Sequence, residues 1–137
     1  MCEGFPDALT VAHTGLPSVA VLGVSHASAS SAEPLADRLV QDHPGAAFVV
    51  YFDADDHAGK TATLPAGQLA AGRLAAQLAH SGATVARLLP PEGIKDLNDW
   101  WQADPAALTR ELTGTADLLI GRAASMLTRD TVMLAAM

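Results

Sequence analysis

Apolar residues recur along the chain in two patterns, one typical of strands and one typical of helices. Three apolar runs bounded by Gly, Pro or Ser predict strands at residues 18–24, 46–52 and 83–89. A helical pattern precedes each of them, at residues 7–13, 32–41 and 65–80. After the third strand the pattern predicts two short helices and a longer apolar one, at residues 97–102, 105–112 and 116–137.

The alternation of helices and strands predicts a parallel sheet. Parallel strands need crossover connections, which are normally helices of right-handed sense. The predicted strands carry few charges, so we expect helices to cover both faces of the sheet. With 137 residues the chain has the size of one domain. The predicted fold class is therefore α/β, in a Rossmann-like three-layer arrangement.

Charge and composition narrow the classes of function. Fifteen acidic residues against eight Lys and Arg give a net charge of −7, which does not suit a protein that grips a phosphate backbone unaided. A nucleic-acid partner would have to be reached through metal ions or a basic neighbour. The single cysteine, Cys2, excludes an intramolecular disulfide and a zinc ribbon. The chain shows no membrane span and no signal peptide, so we expect a cytoplasmic protein.

An acidic segment follows the second predicted strand directly. Asp53 and Asp55 are two residues apart, so at a strand end both side chains project to the same side. Two carboxylates this close repel each other unless a cation lies between them, and oxygen ligands suit Mg²⁺ or Mn²⁺. The alternative is a solvated loop that caps a helix.

A second motif overlaps this segment. Residues 54–61 match a relaxed phosphate-binding loop, with Ala54 in place of the first Gly. We reject nucleotide hydrolysis as the main interpretation, because Asp55 and Asp56 would stand inside a loop whose amides must surround phosphates.

Further acids follow the third predicted strand, where Asp96, Asn98 and Asp99 open a short helix. Asp96 is a good N-cap residue for that helix. It is also placed to act as a metal ligand or as an outer carboxylate at the strand ends. Both roles are compatible.

Three motifs together resemble the TOPRIM domain of bacterial-type primases, topoisomerases, some nucleases and recombination proteins. They are Glu3-Gly4 with Asp7-Ala8-Leu9, then Asp53-Ala54-Asp55 with Ala58-Gly59-Lys60, then Lys95-Asp96-Leu97-Asn98-Asp99. The resemblance spans residues 3 to about 101 and is closest to primases and primase-helicases of phages and mobile elements. The only tyrosine, Tyr51, lies within a predicted strand and does not support a topoisomerase.

The resemblance implies roles for the residues of these motifs. Glu3 would be the general acid/base or an additional ligand, and Lys60 would meet a phosphate. Asp53 and Asp55 would bind Mg²⁺ or Mn²⁺, with Asp96 completing the acidic cluster and Asp99 supporting it. The implied reaction is metal-dependent nucleotidyl transfer in primer synthesis for DNA replication.

The resemblance also predicts how the chain is organised. It implies a mostly parallel sheet of about four strands, whose first strand is truncated because only Met1 and Cys2 precede Glu3. Residues 1–104 would form the TOPRIM domain and residues 105–137 a C-terminal helical extension. Single-stranded DNA template and NTPs would be bound through additional domains, with a helicase or a primase as partner and no membrane.

Two other functions stay open. A TOPRIM-type metal-dependent nuclease would use the same acidic residues. A non-catalytic remnant of the domain would instead serve as an interaction surface.

Overall fold

The computed structural model describes residues 1–53 and 66–135. Within these ranges it contains five α-helices, two strands and one short 3₁₀ helix, Val24–Ala27. The strands are β1 (Ala47–Val50) and β2 (Thr84–Arg87). The helices are α1 (Phe5–His13), α2 (Ala32–Asp42), α3 (Ala66–His80), α4 (Leu97–Ala103) and α5 (Pro105–Ala135).

The sheet is parallel and continues beyond its two regular strands. β1 and β2 pair in parallel, with Ala47 opposite Thr84. Cys2 forms single parallel bridges to Tyr51, just after β1, and to Ala20. Four segments therefore lie side by side in the order 19–23, 1–3, β1 and β2. This arrangement confirms the predicted Rossmann-like α/β class.

Residues 1–3 occupy the centre of the sheet. The Cys2 amide donates to the Val19 carbonyl at 2.9 Å, and the Tyr51 amide donates to the Met1 carbonyl at 2.9 Å. The truncated first strand predicted from the resemblance is therefore present as a very short segment at the centre of the sheet. The strand predicted at residues 18–24 shrinks to a single bridge, since its neighbour offers so few residues to pair with.

The two faces of the sheet bury different side chains. Along and just after β1, Phe48, Val50 and Phe52 alternate onto the face covered by α2 and α3, and each is at most 8% exposed. Tyr51 and Cys2 point to the opposite face, covered by α1, α4 and α5. The sheet is therefore the middle of three layers.

The C-terminal region is one helix, not the two predicted from the sequence. Thr113, Gly114 and Thr115 lie between the two predicted helices and have low helix propensity, but a helical Gly costs only about 1 kcal/mol relative to Ala. Burial of Leu108, Leu112 and Leu119 on one side of α5 outweighs that cost. Leu108 and Leu112 join the same apolar cluster as Cys2 and Tyr51.

The division of the chain at residue 104 stays a prediction. Among the described residues, none of the helices combines the length and hydropathy needed to cross a lipid bilayer.

Candidate acidic site

The acidic residues lie where the carboxyl ends of the strands meet. Glu3 ends the central segment, and Asp53 follows β1 by three residues. Helix α1 follows Glu3 in the chain and packs against α4 on one face of the sheet. Helix α3 follows Asp53 in the chain and packs against α2 on the opposite face of the sheet. The crevice between two adjacent parallel strands whose helices leave to opposite faces is the usual ligand site of open α/β sheets.

Asp7 contributes a buried carboxyl group to this crevice from the first turn of α1. Its side chain is only 5% exposed, and one carboxylate oxygen accepts a hydrogen bond from the Asn98 amide of α4 at 3.1 Å. The Asp7 carboxyl is also hydrogen-bonded to the side chain of Asp53. Asp7 therefore connects the end of β1 with the beginning of α4.

The surroundings of Asp7 disfavour the charged form of its carboxyl group. Burial raises the pKa of the Asp7 carboxyl above its ordinary value, and the negative charge of Asp96 raises it further. A hydrogen bond between two carboxyl groups also requires a proton on one of them. A cation in the crevice would replace that proton and relieve the repulsion.

Gly67 allows the beginning of α3 to approach the acids closely. A Cβ atom at this position would lie 3.2 Å from the backbone oxygen of Asp53 and 3.2 Å from Oε2 of Glu3. The Glu3 carboxylate and the backbone of Asp53 therefore approach the same point from two adjacent strand ends. A side chain at position 67 would require one of these neighbours to shift by a few tenths of an ångström.

Gln68 fixes the end of the strand that carries Asp53. Its Nε2 donates to the carbonyls of Phe52 at 3.1 Å and Asp53 at 3.0 Å. The guanidinium of Arg87, at the end of β2, donates to Oε1 of Gln68 at 3.0 Å and to its backbone oxygen at 3.1 Å. This chain of hydrogen bonds holds α3, β1 and β2 together below the acidic side chains.

Tyr51 lies beneath the same cluster. It is 2% exposed, and its pKa is raised by burial and then by the negative charges of Asp7, Asp96 and Asp53. The phenol is therefore neutral and lies close enough to all three acids to sense their charge. Its hydroxyl has no hydrogen-bond partner within residues 1–53 and 66–135.

The structure places the predicted site residues as follows. Glu3, Asp53 and Asp96 come to the same edge of the sheet, and Asp96 also caps α4 by accepting a hydrogen bond from the Asp99 amide at 2.8 Å. The Asp99 side chain is exposed on the first turn of α4. Asp55 and Lys60 lie outside the described residues, as does the overlapping phosphate-loop pattern.

Sequence reasoning assigned no role to Asp7 or Gln68. Asp7 could have been found from its spacing, because a helix that begins immediately after Glu3 brings the residue four positions later back over the strand end. Gln68 carries no comparable signal, since its partners are backbone carbonyls that only the folded chain brings within reach.

The donor set of the site fits a hard divalent cation. Glu3, Asp7, Asp53 and Asp96 supply only oxygen atoms, which Mg²⁺ and Mn²⁺ prefer. In the part of the chain that the structure describes, no group of three or more His, Cys, Asp or Glu side chains is already arranged to hold a metal ion. The fit therefore rests on the crowding of Asp7, Asp53 and Asp96 and on the type of donor.

Comparison with known proteins identifies one similarity. A family model described as the Toprim domain matches residues 1–107. No curated protein and no solved structure matches the chain. The matched range contains the four segments of the sheet, helices α1 to α4 and all four acids of the crevice. The match does not distinguish a primase from the other branches of the family.

Proposed function

Because the chain belongs to the Toprim family, whose domains serve in metal-dependent processing of nucleic acids, we propose that it carries the catalytic centre of a DNA primase. The reaction is nucleotidyl transfer in primer synthesis. The observation that carries this proposal is the convergence of Glu3, Asp7, Asp53 and Asp96 at the carboxyl ends of adjacent strands, where the Asp7 carboxyl is hydrogen-bonded to the side chain of Asp53.

In this proposal Asp53, Asp55 and Asp96 hold Mg²⁺ or Mn²⁺, and Asp99 supports them from α4. The bound ion would neutralise triphosphate charge, lower the pKa of the attacking 3′-hydroxyl and stabilise the leaving pyrophosphate. Glu3 is the general base that receives the proton of the 3′-hydroxyl or an additional ligand. Lys60 contacts a phosphate of the incoming nucleotide.

The remaining residues of the site position these groups. The hydrogen bond from the Asn98 amide to Asp7 fixes α4 against α1, so that Asp96 is held near the strand ends. Gln68 fixes the backbone of Asp53 through its two carbonyl contacts. A preorganised cluster of this kind supplies orientation before substrate arrives.

The net charge of the chain indicates what kind of partner the proposed reaction needs. With a net charge of −7, the chain repels nucleic acid, so single-stranded template and NTPs are bound with the help of additional basic domains. A helicase or another primase subunit is the kind of protein that would carry them.

The first experiment is thermal unfolding with and without Mn²⁺. It compares the wild type with the double variant Asp53→Asn/Asp55→Asn. A matched control is Glu111→Gln/Asp117→Asn, which removes two charges from exposed positions on α5. A ligand at 100 times its Kd stabilises the native state by about 2.7 kcal/mol. We expect that stabilisation in the wild type and in the control, and its loss in the Asp53/Asp55 variant.

The second experiment decides which reaction the metal centre performs. Labelled NTPs and a single-stranded DNA template are offered together with Mn²⁺, and labelled DNA is offered separately. Template-dependent incorporation that disappears in the Asp53/Asp55 variant supports the primase. Release of nucleotides from the labelled DNA without incorporation assigns the centre to a nuclease. No metal-induced stabilisation of the wild type contradicts both and favours a non-catalytic remnant.

A further inference from the structure

Tyr51 is a buried polar residue to which the proposed reaction gives no role. It follows β1 directly, and its side chain packs in the apolar cluster with Cys2 and Leu97, on the face of the sheet that α1, α4 and α5 cover. It is 2% exposed, and within residues 1–53 and 66–135 its hydroxyl has no hydrogen-bond partner. A buried hydroxyl without a partner costs about 1–3 kcal/mol. We therefore expect this hydroxyl to find a partner in the functional form of the protein.

The charged groups closest to this hydroxyl are carboxylates. Burial has the largest effect in raising the pKa of the phenol, and the negative charges of Asp7, Asp96 and Asp53 raise it further, in that order. A neutral phenol donates a hydrogen bond, whereas an ionised carboxylate only accepts. The Tyr51 hydroxyl is therefore complementary to the acids once these are ionised.

Asp7 is the acceptor that the surroundings favour. Its carboxyl group is buried, accepts a hydrogen bond from the Asn98 amide at 3.1 Å and is hydrogen-bonded to the side chain of Asp53. With a divalent cation among the acids both carboxyl groups are ionised, and two ionised carboxylates cannot keep a hydrogen bond to each other. An ionised carboxylate has about four lone-pair sites, so Asp7 can then accept a second donor besides the Asn98 amide.

We propose that the Tyr51 hydroxyl donates a hydrogen bond to the Asp7 carboxylate when a divalent cation occupies the acidic site, and is thus a positioning residue for that cation. This inference rests on the proposed function, because it needs a metal ion among the same acids. Tyr51 supports the acids from the face of α4, whereas Gln68 holds the backbone of Asp53 from α3 on the opposite face. Loss of such a supporting donor typically lowers metal affinity by about 10–100-fold.

The test compares Mn²⁺ binding by the wild type and by Tyr51→Phe, measured from the electron paramagnetic resonance signal of free Mn²⁺. The substitution keeps the ring and removes only the hydroxyl. We expect Tyr51→Phe to bind Mn²⁺ about tenfold more weakly. Its metal-free unfolding midpoint should equal or exceed that of the wild type, because among the described residues the hydroxyl makes no hydrogen bond that the variant would lose.

Thr10→Val is the matched control. It also removes the hydroxyl of a buried residue, but one that donates to the Pro6 carbonyl at 3.0 Å. This variant should unfold at a lower midpoint and keep the Mn²⁺ affinity of the wild type. The pair of variants thus separates support of the metal ion from support of the fold.

Raman spectroscopy provides an independent check, because Tyr51 is the single tyrosine of the chain. The intensity ratio of the tyrosine ring doublet depends on whether the hydroxyl donates a hydrogen bond. Addition of Mn²⁺ to the wild type should move this ratio toward that of a strong donor.

Each outcome bears on a different claim. Equal Mn²⁺ affinities for the wild type and Tyr51→Phe, or a Raman doublet that does not respond to Mn²⁺, would overturn this proposal and leave the proposed metal centre intact. Absence of Mn²⁺ binding by the wild type would instead contradict the proposed function, and the role of Tyr51 would be refuted with it.

Discussion

The two ends of the sheet differ in what their residues bury. At the carboxyl end, the Asp7 carboxyl is buried, accepts a hydrogen bond from the Asn98 amide, is hydrogen-bonded to the side chain of Asp53 and is repelled by the charge of Asp96. At the amino end, residues 16–19, residues 45–49 and one face of α5 that includes Leu119 line an apolar slot of about 520 Å³. The same strands thus support a crowded polar site and an incompletely filled apolar one. In the acidic site, individual hydrogen bonds determine where the side chains lie. In the apolar slot, the contribution of a side chain to the unfolding free energy depends on how closely its neighbours pack around it.

The largest expected effect is a loss of unfolding free energy on truncation of a buried side chain, compared between the two ends of the sheet. Phe52 is fully buried immediately before Asp53, so Phe52→Ala should cost about 3–5 kcal/mol of unfolding free energy. Leu119→Ala, at the floor of the slot, should cost about 2 kcal/mol, because this side chain faces open volume and loses fewer contacts. Urea denaturation measures both, with the exposed Phe5→Ala as control.

The comparison fails if Leu119→Ala costs as much as Phe52→Ala. That result would mean that the slot is closed and filled in solution, and that the two ends are packed to the same density.

The next effect concerns the hydrogen bonds that hold Asp53. Gln68→Ala removes the donor to two carbonyls and an acceptor of Arg87, so we expect a loss of about 1–2 kcal/mol in stability. The metal-induced rise in midpoint should also shrink, since the end of β1 is less fixed. Gln77→Ala is a matched control, because Gln77 lies nine residues further along α3.

Urea denaturation and thermal unfolding with Mn²⁺ provide the two measurements. A variant that loses stability but keeps the full metal effect would show that Gln68 supports the fold without positioning the acids.

A smaller effect of opposite sign is expected at Asp7. Asp7→Asn keeps an oxygen that can accept from the Asn98 amide but removes a buried charge and its repulsion from Asp96. Without divalent metal, the variant should be more stable than the wild type by about 1 kcal/mol at neutral pH. With Mn²⁺ it should gain less stability than the wild type does.

The stability difference between Asp7→Asn and the wild type should depend on pH, in a direction set by the raised pKa of Asp7. The Asp7 pKa is raised in the folded state, so between the unfolded value of about 4 and the folded value the native protein holds more protons. Wild-type stability therefore falls as pH rises through that window, and the advantage of Asp7→Asn grows. Denaturation in EDTA from pH 4 to 8, with Asp117→Asn as control, measures it. If the stability gain of Asp7→Asn did not change with pH, the gain would not come from the titration of Asp7.

The helices and the position of the acidic residues depend on local sequence pattern and could be predicted from the sequence. Hydrophobic periodicity placed helices α1 to α4 to within about two residues. The acids after the second and third predicted strands pointed to the carboxyl edge, because parallel strands end there together. Asp53 and Asp96 follow from this pattern, whereas Glu3 entered only through the family resemblance; all three lie at that edge in the structure, and their roles stay predictions.

The parts that depend on distant contacts were not predictable from the sequence. The partnership of Asp7 with the Asn98 amide joins residues 91 positions apart, and Gln68 acts on backbone carbonyls. The continuous α5 was missed because burial of Leu119 overrides the weak propensity around Gly114. Residues 1–3 lie at the centre of the sheet because segments on both sides pair with them. Their own sequence is too short to show a strand pattern.

The smallest effect is expected at Cys2, which lies between the two ends in the central segment of the sheet. Its side chain is 1% exposed, and burial raises the pKa of the thiol to about 11. At pH 8 only about one thousandth of such a thiol is ionised, whereas about a quarter of an unfolded cysteine is. Reaction with Ellman's reagent at pH 8 should therefore be at least about a hundred times slower in the native protein than in guanidinium.

Labelling of this single thiol reports directly on the centre of the sheet. Cys2 is hydrogen-bonded to Val19 and Val21, and its side chain packs in the apolar cluster with Tyr51, so the thiol becomes accessible when residues 1–3 leave the sheet. A native rate close to the unfolded rate would show that residues 1–3 do not stay in the sheet, and Glu3 would then not be held at the acidic site either.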